Sequence, residues 1–458
     1  MALALAGCTA SIEDAPEPRV AVPLEWQESD PPPLSVDLAE YWTLLDDPLL
    51  TDFVERALIE NRDVMQGVAR LDQARAQLRG ARAGYLPNVS ARGGVSRDVG
   101  DFSNDEFGFS LGADASWEAD LFGQISGNVA ASRADLLASG YSLADIQRLI
   151  AGQVAISTIN ARAIAGQLRI AKDTLAFQDE NLQIARWRNQ AGLVSSLDVE
   201  QARAQRAQTA ATIPSLESSL AATSNAISTL IGEAPGRVLQ ELEAPEGVPE
   251  PVQLAGFEAP AAVLARRPDV RAAEQNLVSS TALIGVARAQ LLPLVRLTAG
   301  VDTASFGISD LFDVITGNIF AGVSQLIFDG GRTAAQIDSA EARARADLAA
   351  WEQTILQALE EVESAAVDQR ASDQRVAINA EAVDAANNSA ILARSQYQAG
   401  LTDFRTLLTA ENQLLSARNQ YINAEADRAT AFVRLTQALG GGWNPQAPVI
   451  PPFEGQDR

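Results

Sequence analysis

The chain contains the same sequence pattern twice, at nearly constant spacing. Ala81-Arg82-Ala83, followed by Leu86-Pro87, recurs as Ala287-Arg288-Ala289, followed by Leu292-Pro293. Upstream of these strings Asp63-Val64 recurs as Asp269-Val270, and downstream Ala191-Gly192-Leu193 recurs as Ala399-Gly400-Leu401. Tandem units of this kind are built to pack beside their copies. We therefore expect one architecture made of two similar halves.

Composition excludes several classes of protein. The chain has 35 basic and 59 acidic residues, a net charge of −24, and such a polyanion is repelled by phosphate backbones. It has no histidine, the commonest general base and metal ligand, and its single cysteine forms no internal disulfide or cysteine-based zinc site. We expect no enzyme, no catalytic, cofactor-binding or metal-binding residue, and no nucleic-acid partner.

The N-terminus has the pattern of a bacterial lipobox. Leu5-Ala6-Gly7 precedes Cys8, whose thiol is predicted to receive a diacylglyceryl group, so residues 1–8 read as a truncated lipoprotein signal ending in a lipid attachment site. Signal peptides have about 15–30 residues, so we expect a start further upstream or a trimmed sequence. No apolar run approaches the roughly 18 residues of a transmembrane helix.

Periodicity divides the rest of the chain into two helix–hairpin–helix units. Residues 9–46, rich in proline and acidic residues, are predicted to form an extended tether, and residues 47–233 the first repeat. Residues 234–258 link it to a second repeat at 259–439, and 440–458 form a loose tail. In the first repeat the pattern predicts a helix from Asp47 to about Gly84, where Leu86-Pro87 ends it. Within the repeats the pattern also predicts β-hairpins at 88–120 and 294–328, long helices at about 126–190 and 333–398, and return helices at about 195–232 and 403–439.

The predicted strands have one apolar and one polar face. Phe107, Phe109, Leu111 and Trp117 alternate with glycine, serine and aspartate. Such strands match the roughly 9–11 residues that cross a bilayer, although soluble half-buried strands look the same. Four membrane strands cannot close on themselves, so the chain must share a barrel. Two copies would give eight strands and three would give twelve, and physics alone does not choose.

The predicted long helices are longer than any globular core is wide. About 65 residues at 1.5 Å per residue would span roughly 100 Å. Each is predicted to end at a glycine, Gly192 or Gly400, suited to the left-handed cap, after which the chain reverses.

Five strings give the chain a resemblance to a known family. They are Asp47-Pro48, Asn61-Arg62-Asp63, Trp117-Glu118-Ala119-Asp120-Leu121-Phe122-Gly123, Arg266-Arg267-Pro268-Asp269 and Leu439-Gly440-Gly441-Gly442-Trp443-Asn444-Pro445. In this order and spacing they resemble the TolC family of outer-membrane efflux channels, in its OprM/NodT-like lipoprotein branch. The resemblance runs from about Tyr41 to Pro445.

The resemblance implies both a fold and a function. The fold would be an α+β membrane protein of long helices with two membrane β-hairpins per protomer. A homotrimer would form a 12-stranded β-barrel in the outer membrane and a 12-helix α-barrel in the periplasm of a Gram-negative bacterium. The channel would passively conduct drugs or other small molecules, supplied by an inner-membrane pump of the resistance-nodulation-division type through a periplasmic adaptor.

The resemblance also assigns candidate site residues. Trp117 would anchor at the membrane interface in contact with outer-membrane lipid, and Tyr397 matches a tyrosine that helps hold the periplasmic end shut. The family's carboxylate ring falls at Thr406 and Thr409, which are not acidic, with Asp403 nearby, so a selectivity ring is either displaced or absent. The adaptor-facing tips would be Ala191, Gly192, Leu193, Val194, Ser195, Ala399, Gly400, Leu401 and Thr402.

Two alternatives remain at this level. One is a channel of the same family serving type I protein secretion; the lipobox and the Leu439–Pro445 string favour efflux. The other is a periplasmic coiled-coil lipoprotein without a pore, and the alternating strand pairs argue against it.

Overall fold

A computed structural model of the chain describes residues 15–27, 37–97, 99, 101, 106–242, 246–252, 256, 258–446 and 449–450. Cys8, the predicted lipid attachment site, lies outside these residues. The described part is mostly helical, with one small sheet. None of its helices combines the length and the apolar character needed to cross a membrane.

The two repeats have matching elements. In the first, helices α1 (Pro48–Glu60) and α2 (Arg62–Ala83) precede strands β1 (Asn88–Arg97) and β2 (Phe107–Ala119), then α3 (Gln124–Gln190) and α4 (Ser196–Leu230). A short α5 (Arg237–Leu242) lies in the linker. In the second, α6 (Pro260–Arg266) and α7 (Pro268–Ala289) precede β3 (Leu294–Ser305) and β4 (Ile315–Ser324), then α8 (Arg332–Gln398) and α9 (Phe404–Ala438).

The helix predicted to run from Asp47 to about Gly84 is two helices. Asn61 adopts an extended conformation, and its side-chain oxygen accepts hydrogen bonds from the backbone N–H groups of Asp63 and Val64 at 2.8 and 3.2 Å. This cap starts α2 afresh. In the second repeat the break falls at Arg267, because the residue before a proline disfavours the helical conformation.

The chain divides into two compact units. One, here the sheet unit, comprises Ala69–Tyr141, Val270–Thr354 and the described residues before Ala21, and it contains all four strands. The other, the helical unit, contains the described residues of Ala21–Val68, Ser142–Asp269 and Ile355–Arg458.

The helical unit has a large core that includes parts of the predicted tether and tail. Trp26 is buried, and its indole N–H donates to the carbonyl of Glu258 at 2.7 Å. Tyr41 and Leu45, in a short 3-10 helix, are fully buried, and the N–H of Gly442 donates to the carbonyl of Leu38 at 2.8 Å. These stretches are therefore packed where sequence suggested only extended or loose chain.

Two of the family strings form buried ion pairs in the helical unit. Asp47 caps α1 by accepting from the N–H groups of Leu49 and Leu50, and it pairs with the fully buried Arg162. Arg267, 1% exposed, pairs with Asp269 and Glu361 at 2.6 and 2.7 Å and donates to the Ala438 carbonyl at 3.0 Å. Removing one partner of such a pair leaves a buried charge uncompensated. These residues of the two strings therefore stabilise the helical unit.

Candidate functional site

The four strands form an open antiparallel sheet in the order β1-β2-β3-β4. Alternation along the strands sends the side chains to two faces, and the pairing register keeps each face consistent from strand to strand. One face, here the apolar face, carries large apolar residues that are mostly solvent-exposed. They include Val89, Val95, Phe107, Leu111, Trp117, Leu297, Val301, Ile315, Ile319 and Val323. A sheet face whose large apolar side chains are mostly exposed fits a lipid environment.

The opposite face, here the polar face, carries an ion-pair network. Arg92 on β1 pairs with Asp114 on β2 and reaches across β2 to Asp302 on β3, 2.5 Å from its guanidinium. It can do so because the residue between them is Gly112, where an added Cβ would lie 2.2 Å from the Asp302 carboxylate. Arg296 pairs with Glu118 on the same face. The network ties three strands together through their side chains.

Trp117 lies on the apolar face near the end of the sheet where the strands join the helices. Its indole N–H donates to the backbone carbonyl of Tyr85 at 2.9 Å, and the ring is 37% exposed. An exposed ring with a satisfied N–H suits a membrane–water interface. The geometry therefore agrees with the interfacial role expected from sequence, which stays a prediction.

The two predicted tips have the same turn in the helical unit. Gly192 and Gly400 have positive φ angles of 72° and 77°, in the region that favours glycine. In the first tip the N–H groups of Gly192 and Leu193 donate to the carbonyls of Asn189 and Arg188 at 2.9 and 2.8 Å. In the second tip Gly400 and Leu401 donate to the carbonyls of Tyr397 and Gln396 at 3.0 and 2.8 Å. Both helices thus end in the same left-handed cap.

Side chains just after each turn start the return helices. Asp403 accepts hydrogen bonds from the N–H and the hydroxyl of Thr406 at 2.8 and 2.6 Å. These bonds hold the pKa of Asp403 below its ordinary value. In the first tip the N–H of Ser195 donates to Asp198 at 3.2 Å. The hydroxyl of Thr409 donates to the carbonyl of Arg405 at 2.9 Å. Asp403, Thr406 and Thr409 are therefore engaged in local contacts of α9.

Tyr397 belongs to a small core beside the tips, together with Leu182, Ala185, Phe404 and Leu407. It is 2% exposed, and its ring meets that of Phe404 edge-on at 5.6 Å. Burial raises the pKa of its phenol. Its hydroxyl makes no hydrogen bond with any residue that the structure describes.

Arg188 of α3 contacts both the backbone and the ring of Tyr397. Its guanidinium donates to the backbone carbonyl of Tyr397 at 2.7 Å and lies 4.7 Å from the centre of the ring. A cation placed so close over an aromatic face is attracted to it. This contact connects the end of the first long helix to the end of the second. Arg188 was not predicted from sequence, because nothing near Gly192 marks it as a partner for a residue in the other repeat.

A second link lies further along the same face of α3. The side-chain amide of Asn181 donates to Glu411 of α9 at 2.7 Å, and Arg394 of α8 lies 3.4 Å from the same carboxylate oxygen. Glu411 is only 9% exposed, so removing either partner would leave its buried side chain with fewer polar contacts. Asn181 and Arg188 are seven residues apart, two helical turns, which places them on one face of α3. That spacing was the only signal in the sequence, and many other polar pairs in α3 share it.

Comparison with known proteins agrees with this arrangement. The family model described as "Outer membrane efflux protein" matches residues 53–233 and 259–441, one segment in each repeat. The chain is 30% identical over 457 residues to nodulation protein T of Rhizobium leguminosarum bv. trifolii, covering 97% of each chain. It is 29% identical to the cation efflux system protein CusC of Escherichia coli, again over 97% of each.

A solved structure gives the same result for the fold. The outer-membrane channel OprN superposes with a TM-score of 0.85 at 31% sequence identity, covering 95% of this chain and 99% of that one. The fold as a whole is thus that of a known outer-membrane channel. The chain belongs to the outer membrane efflux protein family, the outer-membrane channels of tripartite efflux systems in Gram-negative bacteria.

Proposed function

We propose that three copies of this chain assemble into one channel and that their sheets together form its wall in the outer membrane. The observation that carries this proposal is the open, two-faced sheet. Strands β1 and β4 are its edges, and unpaired backbone groups in lipid cost several kcal/mol each. The smallest closed membrane barrels have about eight strands, so one sheet is too small. Three copies is the number that the resemblance to the TolC family implies.

The apolar face should lie against lipid and the polar face against the lumen. Leu111→Arg puts a cation on the apolar face, which costs roughly 2–4 kcal/mol near the bilayer midplane. We expect much less trimer in outer-membrane fractions, measured as a heat-sensitive band on a gel.

Ser110→Arg is the matched control for this substitution. Ser110 is the exposed neighbour on the polar face, and its variant should assemble nearly normally. Gly112 is unsuitable, because any side chain there collides with Asp302 whichever face meets lipid. Equal losses for Leu111→Arg and Ser110→Arg would exclude the barrel wall. A native mass of one or two chains would exclude the trimer.

A passive channel needs a gate that can be shut, and the contacts around Tyr397 support the proposal of such a gate at the tips. Arg188 and the link from Asn181 to Glu411 attach α3 to the end of α8 and the start of α9 within one copy. We propose that the shut state keeps these contacts and that opening breaks them. The turns at 191–195 and 399–402 would meet the periplasmic adaptor, which joins the channel to an inner-membrane pump of the resistance-nodulation-division type.

The transported molecules are proposed to be drugs or other small molecules. CusC is named for cation efflux and nodulation protein T for nodulation, and the chain is about equally similar to both. The test is drug accumulation in a channel-deleted host with and without this chain. Unchanged accumulation at normal trimer abundance would exclude drug efflux.

Cys8 is proposed to carry a lipid in the native protein. Because the strands themselves would hold the channel in the membrane, Cys8→Ala should weaken anchoring without abolishing insertion. The fraction of protein that alkaline extraction releases from membranes measures this. Recovery of the variant as a wholly soluble periplasmic protein would contradict the membrane role of the sheet.

A further inference from the structure

We propose that the loop between β3 and β4, residues 306–314, is embedded in the membrane, where its apolar side chains contact lipid acyl chains at the outer rim of the channel. The proposal rests on the lipid-facing orientation proposed above for the apolar face. It adds a lipid contact made by a loop rather than by a strand.

The composition of this loop is unusual for a connection that faces water. Phe306, Ile308, Phe312 and Val314 are each between 63% and 72% exposed. The loop between β1 and β2 is the counterpart in the first repeat, and its sequence contains Asp98, Asp101, Asp105 and Glu106. One hairpin therefore ends in an acidic segment and the other in an apolar one. Contiguous exposed apolar side chains mark an interaction surface.

The position of the loop indicates what it contacts. Thr303 of β3 points to the apolar face, and its hydroxyl donates to the backbone carbonyl of Leu311. The loop thus folds back over the apolar face instead of over the polar one. Thr303 is 8% exposed while its neighbours on that face, Val301 and Ile315, are more than half exposed. The loop, which accepts the hydrogen bond from Thr303 through Leu311, contributes to this burial.

The register gives the height of the loop along the sheet. Ser305, the last residue of β3, pairs with Phe109, and β2 continues to Phe107 beyond it. The loop therefore begins beside a stretch of β2 whose apolar face is aromatic. The Thr303–Leu311 hydrogen bond places the loop at the apolar face at that level, so we expect the occupant that covers the strands to cover the loop as well. Amphipathic elements bind at the boundary of acyl chains and headgroups in this way.

The charged residues of the loop are compatible with that boundary. Asp310 accepts a hydrogen bond from the hydroxyl of Ser309 at 2.8 Å, and the N–H of Asp313 donates to the Asp310 carbonyl at 3.1 Å. Ser309 and Asp310 lie in a short 3-10 turn, Ile308–Asp310, between the apolar residues. Carboxylates can reach the headgroup layer while neighbouring apolar side chains reach the acyl chains.

Site-directed spin labelling tests this directly, because Cys8 is the only cysteine of the chain. In a full-length Cys8→Ser background, nitroxides are attached to Phe312→Cys and Ile308→Cys. The trimer is reconstituted in vesicles of phosphatidylethanolamine and phosphatidylglycerol. Collisions with oxygen, which partitions into lipid, are compared with collisions with a water-soluble nickel chelate. Ile319→Cys on the apolar face and Ser110→Cys on the polar face are the lipid and water references.

The expected result is loss of nickel accessibility at both loop positions, to the level of Ile319→Cys, with oxygen accessibility retained. Nickel accessibility like that of Ser110→Cys, with Ile319→Cys protected, would overturn the loop proposal and leave the barrel wall intact. Strong dipolar broadening between loop labels within a trimer would also overturn it, in favour of loops that meet over the lumen. A water-exposed Ile319→Cys would refute the barrel wall, and the loop proposal with it.

Discussion

The turns at Gly192 and Gly400 close two long helices with the same pair of hydrogen bonds, yet their surroundings differ. A Cβ added at Gly192 would meet no atom within 4 Å, whereas one at Gly400 would lie 3.5 Å from the Arg188 guanidinium. Three residues before each glycine stand Asn189 and Tyr397. Asn189 bonds within its own tip, to the carbonyl of Val194 at 3.0 Å, while Tyr397 is buried against Phe404 under Arg188.

The two repeats therefore share the backbone conformation of the tip and differ in the side chains that stabilise it. Asn189 stabilises the first tip by a hydrogen bond within that tip, whereas the second tip also receives a side chain, Arg188, from the first repeat. In the gate proposed above we expect the second tip to be the element that moves, because opening would release its contacts with Arg188. Three experiments test the asymmetry, and a fourth tests the helix cap of the second tip.

The largest effect is expected from truncating Tyr397. Tyr397→Ala removes a buried ring, and large-to-small substitutions of aromatic core residues cost about 3–5 kcal/mol. The second tip should loosen, and the conductance of purified channels in planar bilayers should rise. Asn189→Ala, at the matching position of the first tip, loses one hydrogen bond of about 1 kcal/mol and should leave the conductance nearly unchanged. Equal increases would show that the two tips are equivalent.

Arg188→Met should have the next largest effect. It keeps an apolar stem of similar length but removes the hydrogen bond to the Tyr397 carbonyl and the cation over the ring, together worth about 2 kcal/mol. We expect a smaller rise in conductance than for Tyr397→Ala. Arg203→Met is the control, because Arg203 is exposed and pairs only with Glu200 at 3.5 Å in the part of the chain that is described. A conductance equal to that of the wild type would remove Arg188 from the gate.

Replacing each tip glycine with valine should reveal a smaller difference between the two tips, measured as drug efflux. A positive φ costs a residue with a side chain of order 1 kcal/mol, so Gly192→Val and Gly400→Val are both strained. At Gly400 the added γ carbons would also crowd Arg188. Drug accumulation in a channel-deleted host should show reduced efflux for both variants, more for Gly400→Val, at matched trimer abundance. Loss of trimer in either variant would make that glycine a requirement for assembly.

The smallest effect concerns the cap of α9 and depends on pH. Because its pKa is lowered, the Asp403 carboxylate stabilises the first turn of α9 above its ordinary pKa of 3.8, and this contribution disappears as the pH falls through the lowered value. Hydrogen exchange of the segment 403–409, corrected for intrinsic rates, should show weakening protection in that acidic range. Asp403→Ala should be weakly protected at every pH. A variant with the pH dependence of the wild type would assign the effect to another group.

The fold could be predicted from sequence wherever the signal is local. The alternation in β2 and the glycines that end α3 and α8 are local signals, and both helices were located to within two residues of their observed starts. The break at Asn61 was missed because one capping side chain decides it against continuous helical periodicity. The break at Arg267 had a readable signal in Pro268.

The candidate site was less predictable because its key contacts are not local. Arg188 and Tyr397 are 209 positions apart in the chain, and no sequence pattern around either residue indicates that the other is its partner. Asp403 was assigned from sequence to the periplasmic gate, near Thr406 and Thr409, and in the structure its side chain caps α9. Its gate role stays a prediction. Carboxylates shortly after a turn serve helix starts so often that the sequence alone cannot assign them to a pore.

The reach of Arg92 across Gly112 also has an electrical consequence. The strands' polar face carries two arginines, Arg92 and Arg296, against three carboxylates, Asp114, Glu118 and Asp302, so one negative charge per sheet is left over. The chain as a whole has a net charge of −24. If the polar face lines the lumen as proposed, a solute passing through the barrel would meet a surface with little net charge, because its arginines and carboxylates pair with one another. Discrimination by charge would then fall to the helices, and the strands would act as an unselective exit.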